Sequence, residues 1–258
     1  MECPKALPSG TPSIFSVTVA VCTGLYENGG IMSLIVAIDG PSGAGKGTVA
    51  RMVAKRLGFL HIDTGALYRA VAYIATQSGT ALDDEPALAK IATNLNVEFK
   101  TDHHGRRLVF ANGQEVTKQI RTEAMSQGAS IVGKLPAVRL GLHDLQRRLG
   151  LNAPKGAVLE GRDIGTVIFP EAQVKVFLAA DERVRAERRY MQLKAQGQAA
   201  DFNAVLADLR ERDARDQERD VAPCKPAPDS IVIDTTLMHA GQVADAIEAT
   251  AQKKMGQQ

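Results

Sequence analysis

The nine residues Gly40-Pro41-Ser42-Gly43-Ala44-Gly45-Lys46-Gly47-Thr48 constrain this chain more than any other stretch. They follow an aliphatic run over 34–38 that ends in Asp39, the pattern of a strand buried on both faces. After them Val49, Val53, Ala54 and Leu57 recur at helical spacing. Strand, glycine loop and helix together open a doubly wound sheet. The glycines let the backbone curl until successive N–H groups face one concavity. With the helix N-terminus behind it, that concavity favours a polyphosphate. All nine residues are therefore candidate ligands of ATP, with Lys46 reaching the β- and γ-phosphates. Gly47 stands where a hydroxyl commonly follows the lysine. Thr48 or Ser42 is then the candidate to orient Mg²⁺, partly through water.

The rest of the chain continues the α/β rhythm. Residues 156–160, 174–178 and 231–233 have the same strand character as the first run. Helical patterns cover 124–149, interrupted near Pro136, and 182–195. One segment differs: 97–99, 107–110 and 114–116 favour strand, with turn chemistry at His104-Gly105 and Asn112-Gly113. Asn-Gly between strand residues signals a hairpin, so a small antiparallel insert is expected beside a mostly parallel sheet. A length of 258 residues accommodates this as one domain over 32–258.

Composition excludes several classes. The chain has 31 basic and 29 acidic residues and 4% aromatics, which argues against an extended nucleic-acid surface. Cys3, Cys22 and Cys224 form no CxxC pair and have no histidine at metal-ligand spacing. Neither a disulfide framework nor a zinc site is expected, and a reducing, cytoplasmic setting fits. The apolar run over 14–22 is too short to span a membrane and lacks the flanks of a signal peptide. Residues 1–31 are expected to be a disordered extension, or upstream sequence translated ahead of a start at Met32. No exposed apolar helix face stands out, so a monomer is expected.

Two further motifs bear charge at strand ends. Asp63-Thr64-Gly65-Ala66-Leu67-Tyr68-Arg69 opens a helix with a hydroxyl and a glycine and sets an arginine five positions later. That suits a second phosphate, and it equally suits an ordinary capped helix. Glu160-Gly161-Arg162-Asp163 directly follows a strand, at the edge where doubly wound sheets bind ligands. Arg162-Asp163 is a ligand-facing pair or a structural ion pair, and Glu160 is a Walker-B-like acid or a strand cap. Arg183, Arg185, Arg188 and Arg189 share one predicted helix, and Arg210, Arg212, Arg215 and Arg219 another. Arg212, Arg215, Asp216 and Arg219 are spaced to share a face. Interleaved acids allow plain solvated ion pairs as well. No Asn-Lys-x-Asp guanine-reading motif is present.

The stretches GPSGAGKGT, DTGALYR, IRTEAMSQGAS, EGRDIGTVIFP and ERDARDQER occur in an order and spacing that resembles the bacterial cytidylate kinases. The likeness runs from Met32 to the C-terminal helix. It implies a P-loop kinase core with an acceptor-binding part over about 64–140 and an arginine-rich helical lid over about 183–219. It implies transfer of a phosphoryl group from ATP to CMP or dCMP. It further implies that Ser130, Arg139 and Asp163 bind cytosine, that Thr64, Arg69, Arg162 and Arg219 surround the acceptor phosphate, and that Arg212 and Asp216 contact the sugar. Lys46 and Arg188 are expected near the transferring phosphoryl, with Arg162 and Arg219 adding positive charge. Thr64 departs from the family, which more often carries serine there. The competing expectations are another small-molecule P-loop kinase, such as one for shikimate or another nucleotide, and an ATP-dependent nucleic-acid-binding protein.

Overall fold

The computed structural model describes residues 34–104 and 106–257. The expectations for 1–31, for Cys3 and Cys22, and for Gly105 in the His104-Gly105 turn lie outside the described residues.

β1 (Leu34–Asp39) is buried along its whole length and lies at the centre of a five-stranded sheet. Its neighbours are β6 (Gly156–Glu160) and β7 (Val174–Ala179), with β2 (Leu60–Asp63) outside β6 and β8 (Ile231–Asp234) outside β7. All four pairings are parallel. Alternate side chains of β1 therefore serve two faces. Leu34, Val36 and Ile38 pack with Val49 and Val53 of α1 (Lys46–Leu57) and with Val243 and Ile247 of α8 (Ala240–Met255). Ile35 and Ala37 pack with Leu159 and Phe169 on the other face. This is the expected doubly wound arrangement. Because every strand runs the same way, the glycine loop, Thr64 and Arg162 all emerge at one edge.

Between β2 and β6 the chain builds a second core. It comprises α2 (Gly65–Ser78), α3 (Glu85–Thr93), the antiparallel sheet β3 (Val97–Thr101), β4 (Arg107–Ala111) and β5 (Gln114–Glu115), then α4 (Glu123–Val132) and α5 (Pro136–Leu151). The Asn112-Gly113 turn has positive φ at both residues (49° and 82°), as its sequence predicts for a tight hairpin. Pro136 sits in the first turn of α5, where its missing N–H leaves no intrahelical bond unmade. Leu67, Leu88, Ile120 and Leu142 close this core. A third, small cluster joins α6 (Glu182–Ala195) to α7 (Phe202–Glu218) through Ala186, Leu206 and Leu209. No helix among the described residues is long and apolar enough to cross a membrane.

Candidate active site

A cleft of about 810 Å³ opens over the strand ends and reaches from the glycine loop to the antiparallel insert, α4 and α5, and to the arginines of α6 and α7. At its centre Gly43 and Gly45 take positive φ (78° and 92°), turning the backbone into the start of α1. The N-cap of α1 is Gly45, and no side chain caps the helix, so its leading amides remain free for an anion. Lys46 is buried and donates to the Pro41 carbonyl at 2.6 Å, folded back along the loop. Burial, reinforced by the nearby Arg162 charge and opposed by Glu160, brings the Lys46 ammonium down to about 7. Gly47 explains the displaced hydroxyl: a Cβ there would stand 3.1 Å from Oε1 of Glu160. The Glu160 carboxylate thus faces the loop directly behind Lys46. His61 Nε2 holds its Oε1 at 2.9 Å.

The acceptor-side motif is more internally bonded than its sequence implied. Thr64 is buried, and its hydroxyl donates to the Glu160 carbonyl at 2.7 Å rather than capping α2. Arg69 Nη2 bonds Asp63 at 2.7 Å, while Asp63 also accepts from Ala66 N at 3.1 Å. Arg107, from the antiparallel insert, donates to the His61 carbonyl at 2.5 Å and ties the insert to the edge strand.

Further along the cleft Arg139 and Asp163 form a buried ion pair, with Ser130 beside them in the lining. Ser130 Oγ is buried and has no hydrogen-bond partner. The Tyr68 ring lies 5.6 Å from the Arg139 guanidinium. Arg162 Nε bonds Asp216 at 2.7 Å. Burial pushes the Asp216 carboxyl up, but Arg162, Arg219 and Arg212 outweigh it and hold the group below its ordinary value. Arg212 Nε and Arg69 Nε are likewise buried without partners. Buried donors and acceptors left unbonded are costly, and a polar ligand in the cleft would satisfy them.

The expected shared face of Arg212, Arg215, Asp216 and Arg219 is only partly formed. α7 ends at Glu218, and Arg219 leaves in an extended conformation (φ −64°, ψ 140°). The reason is the return of the chain: Ala222 has φ 53° and the Cys224 amide bonds the Asp216 carbonyl at 2.7 Å. Arg219 instead donates to the Ala222 carbonyl at 2.6 Å and brings Nη2 to 3.8 Å from Asp163. It therefore joins the Arg139–Asp163 pair from outside the helix. Arg215 reaches Gln127 of α4 at 2.7 Å. Arg189 pairs with Glu123 of α4, and Arg212 lies 3.5 Å from the same carboxylate. Arg188 sits at the opposite end, bonding the Thr235 carbonyl at 2.6 Å, while the Thr235 hydroxyl reaches Ala44 of the glycine loop at 3.2 Å. Arg210 pairs with Glu182 in solvent, as the plain ion-pair alternative describes.

Sequence reasoning missed Asp39, Arg185 and Thr235 as parts of this assembly. Arg185 is buried and donates to the Ser42 carbonyl at 3.0 Å and to Asp213. Asp39 accepts from the amides of Ile164 and Gly165 at 2.8 and 2.7 Å. Burial raises its carboxyl to about 6 against the pull of those two amides. Asp39 was visible in the sequence only as the residue that ends the first strand.

A parallel sheet with a phosphate-cradling loop, a buried lysine and a ring of arginines over its strand ends defines a P-loop kinase. The family model described as cytidylate kinase matches residues 36–253. A cytidylate kinase from Pseudomonas paraeruginosa (strain DSM 24068 / PA7) is 50% identical over 215 residues, covering 83% of this chain and 93% of that one. One from Geobacter sp. (strain M21) is 44% identical over 231 residues, covering 90% and 96%. One from Geobacillus sp. (strain WCH70) is 45% identical over 221 residues, covering 86% and 97%. The chain belongs to the cytidylate kinase family.

Proposed function

We propose that this chain transfers the γ-phosphoryl of ATP to CMP and dCMP, giving ADP and CDP or dCDP, in pyrimidine nucleotide metabolism. The observation that carries this is the buried Arg139–Asp163 pair with the unbonded Ser130 hydroxyl, in the same cleft as the glycine loop. Cytosine carries an amino donor where uracil carries a carbonyl. Asp163 accepts from the amine and repels the carbonyl, and Ser130 and Arg139 complete the pattern. A buried site built for one hydrogen-bond pattern rejects the other, by about 10⁴-fold in strong cases.

In this scheme residues 40–48 hold the donor phosphates, with Lys46 turning from Pro41 to the β- and γ-phosphates. Arg69, Arg162 and Arg219, with Thr64, surround the acceptor phosphate, and Arg212 and Asp216 meet the sugar. Arg188, Arg162 and Arg219 join Lys46 in neutralising the transferring group. Phosphoryl transfer asks the protein for alignment and charge rather than covalent chemistry. No general base is needed, because the attacking CMP oxygen is already anionic. α6 and α7 act as a lid whose closure excludes water from the transfer. Thr48 and Glu160 offer hard oxygens beside the loop that would hold Mg²⁺, and the ion would offset the charge of the donor phosphates. One chain supplies every residue in the scheme, which supports a monomer, and a cytoplasmic setting is part of the same proposal.

A coupled ADP-release assay with Mg·ATP and CMP, dCMP, UMP, AMP or shikimate tests this. Fast turnover is expected with CMP and dCMP alone; turnover only with another acceptor would discard the cytosine assignments. Asp163→Ala is expected to lose the preference for CMP over UMP.

A further inference from the structure

The turn after Asp163 has an unusual division of labour. Residues Ile164–Ile168 form a single π-turn with Asp163 at its N-cap. The Asp163 carbonyl accepts from Val167 N at 2.9 Å and Ile168 N at 3.2 Å, as an N-cap residue should. Its side chain, however, caps nothing. An aspartate in that position ordinarily accepts from an amide two or three residues ahead, which satisfies the unbonded donors of the turn.

Here another residue takes the amide two residues ahead, together with the amide next to Asp163. The Asp39 carboxylate, at the end of β1, accepts from Ile164 N at 2.8 Å through one oxygen and Gly165 N at 2.7 Å through the other. Both bonds are buried, and Asp39 is 5% exposed. The packing is close as well as bonded. A Cβ on Gly165 would stand 3.5 Å from Oδ2 of Asp39 and 3.3 Å from the Lys175 side chain. With the amides taken, the Asp163 carboxylate is turned to Arg139 through Oδ2, and its Oδ1 lies 3.8 Å from Arg219 Nη2.

We infer that Asp39 is a positioning residue for acceptor-base selection: it occupies the leading amides of the turn and so keeps the Asp163 carboxylate out of the cap and directed at the base. This rests on the base-reading role proposed for Asp163. Asp39 immediately precedes Gly40, so the same side chain fixes the base-reading turn to the donor-phosphate loop.

Asp39→Asn tests it. The amide keeps one acceptor oxygen but sets an NH₂ against the second N–H, which releases one amide for Asp163 to cap. The readouts are kcat and KM for CMP and UMP, the affinity for a fluorescent ATP analogue, and the thermal unfolding curve. The CMP-over-UMP ratio of kcat/KM is expected to fall about tenfold or more, the scale of a lost charged hydrogen bond. The fall should come through KM for CMP, with the analogue's affinity held. In an Asp163→Ala background, Asp39→Asn should leave the ratio unchanged, because both substitutions disable the same carboxylate. An undiminished ratio in Asp39→Asn, or an equal fall in both backgrounds, overturns the inference. If Asp163→Ala alone leaves the ratio intact, the base-reading role itself fails and takes the inference with it. Should Asp39→Asn not fold, Asp39→Ser, which retains one acceptor in a smaller side chain, is measured in the same way.

Discussion

Lys46 is an uncomfortable cation. It is 7% exposed, shares its surroundings with Arg162, and bonds only a carbonyl. Its ammonium falls from an ordinary 10.5 to about 7. The folded form therefore binds fewer protons than the unfolded chain between about pH 7 and 10.5, and stability from this group rises with pH across that window. Below pH 7 the buried charge weighs against the fold in full. Two outcomes are expected. Lys46→Met should abolish turnover yet raise the melting temperature of the ligand-free protein at pH 6. ATP binding near pH 7 to 8 should draw in protons, as polyphosphate restores the charge; calorimetry in buffers of different ionisation enthalpy would detect this. No net proton uptake would mean that the lysine stays charged throughout. The glycine loop and its lysine were legible as a local pattern. Asp39 was not, because its partners lie more than a hundred positions away in the chain and only the parallel pairing of β1 and β6 brings them near.

At the scale of elements, α6 and α7 depend on few contacts of their own. Their shared cluster holds three buried residues, Ala186, Leu206 and Leu209. They are tied down chiefly by Arg185 on the glycine loop and by Arg189, Arg212 and Arg215 on α4. Leu209→Ala is expected to cost about 2–4 kcal/mol of local stability. Hydrogen exchange should quicken in α6 and α7 and stay slow in β1; uniform loss of protection would mean that the helix pair unfolds only with the whole. Gly40→Ala makes the opposite case. With φ at 142° and a Cβ set 2.2 Å from the Leu178 carbonyl, it should destabilise the central sheet by about 3 kcal/mol or more in denaturant titration. Sequence periodicity found β1, β6, β7, β8 and the longer helices, whose apolar spacing is regular. It missed β2, four residues that include a histidine and an aspartate. It also missed α3, although Asp84 caps that helix and Pro86 stands in its first turn. Extending helical spacing to Arg219 failed because the Cys224 amide, donating to the Asp216 carbonyl, and not propensity, ends α7.

At the scale of the molecule, the cleft gathers charge from segments that share no core. Asp163 and Arg162 follow β6, Ser130 and Arg139 come from the second core, and Arg212 and Asp216 come from α7. The sheet that carries them has a particular order: β1 and β2 are consecutive in the chain, yet β6 lies between them. Ile38 pairs with Glu160, and Asp63 pairs with the same residue on the other side. Strand pairing at such separation is slow to form, since loop closure precedes any reward. A ribosome must therefore make the entire second core before the central sheet can close. That core, helical and locally connected, is expected to gain amide protection first in pulse-labelled refolding, with β1 and β6 following. Protection appearing first in β1 would reverse the order. During synthesis, then, the segment that carries Ser130 and Arg139 is assembled before Asp163 and the strand that closes the sheet exist, and a half-made chain has no finished sheet on which to hydrolyse ATP.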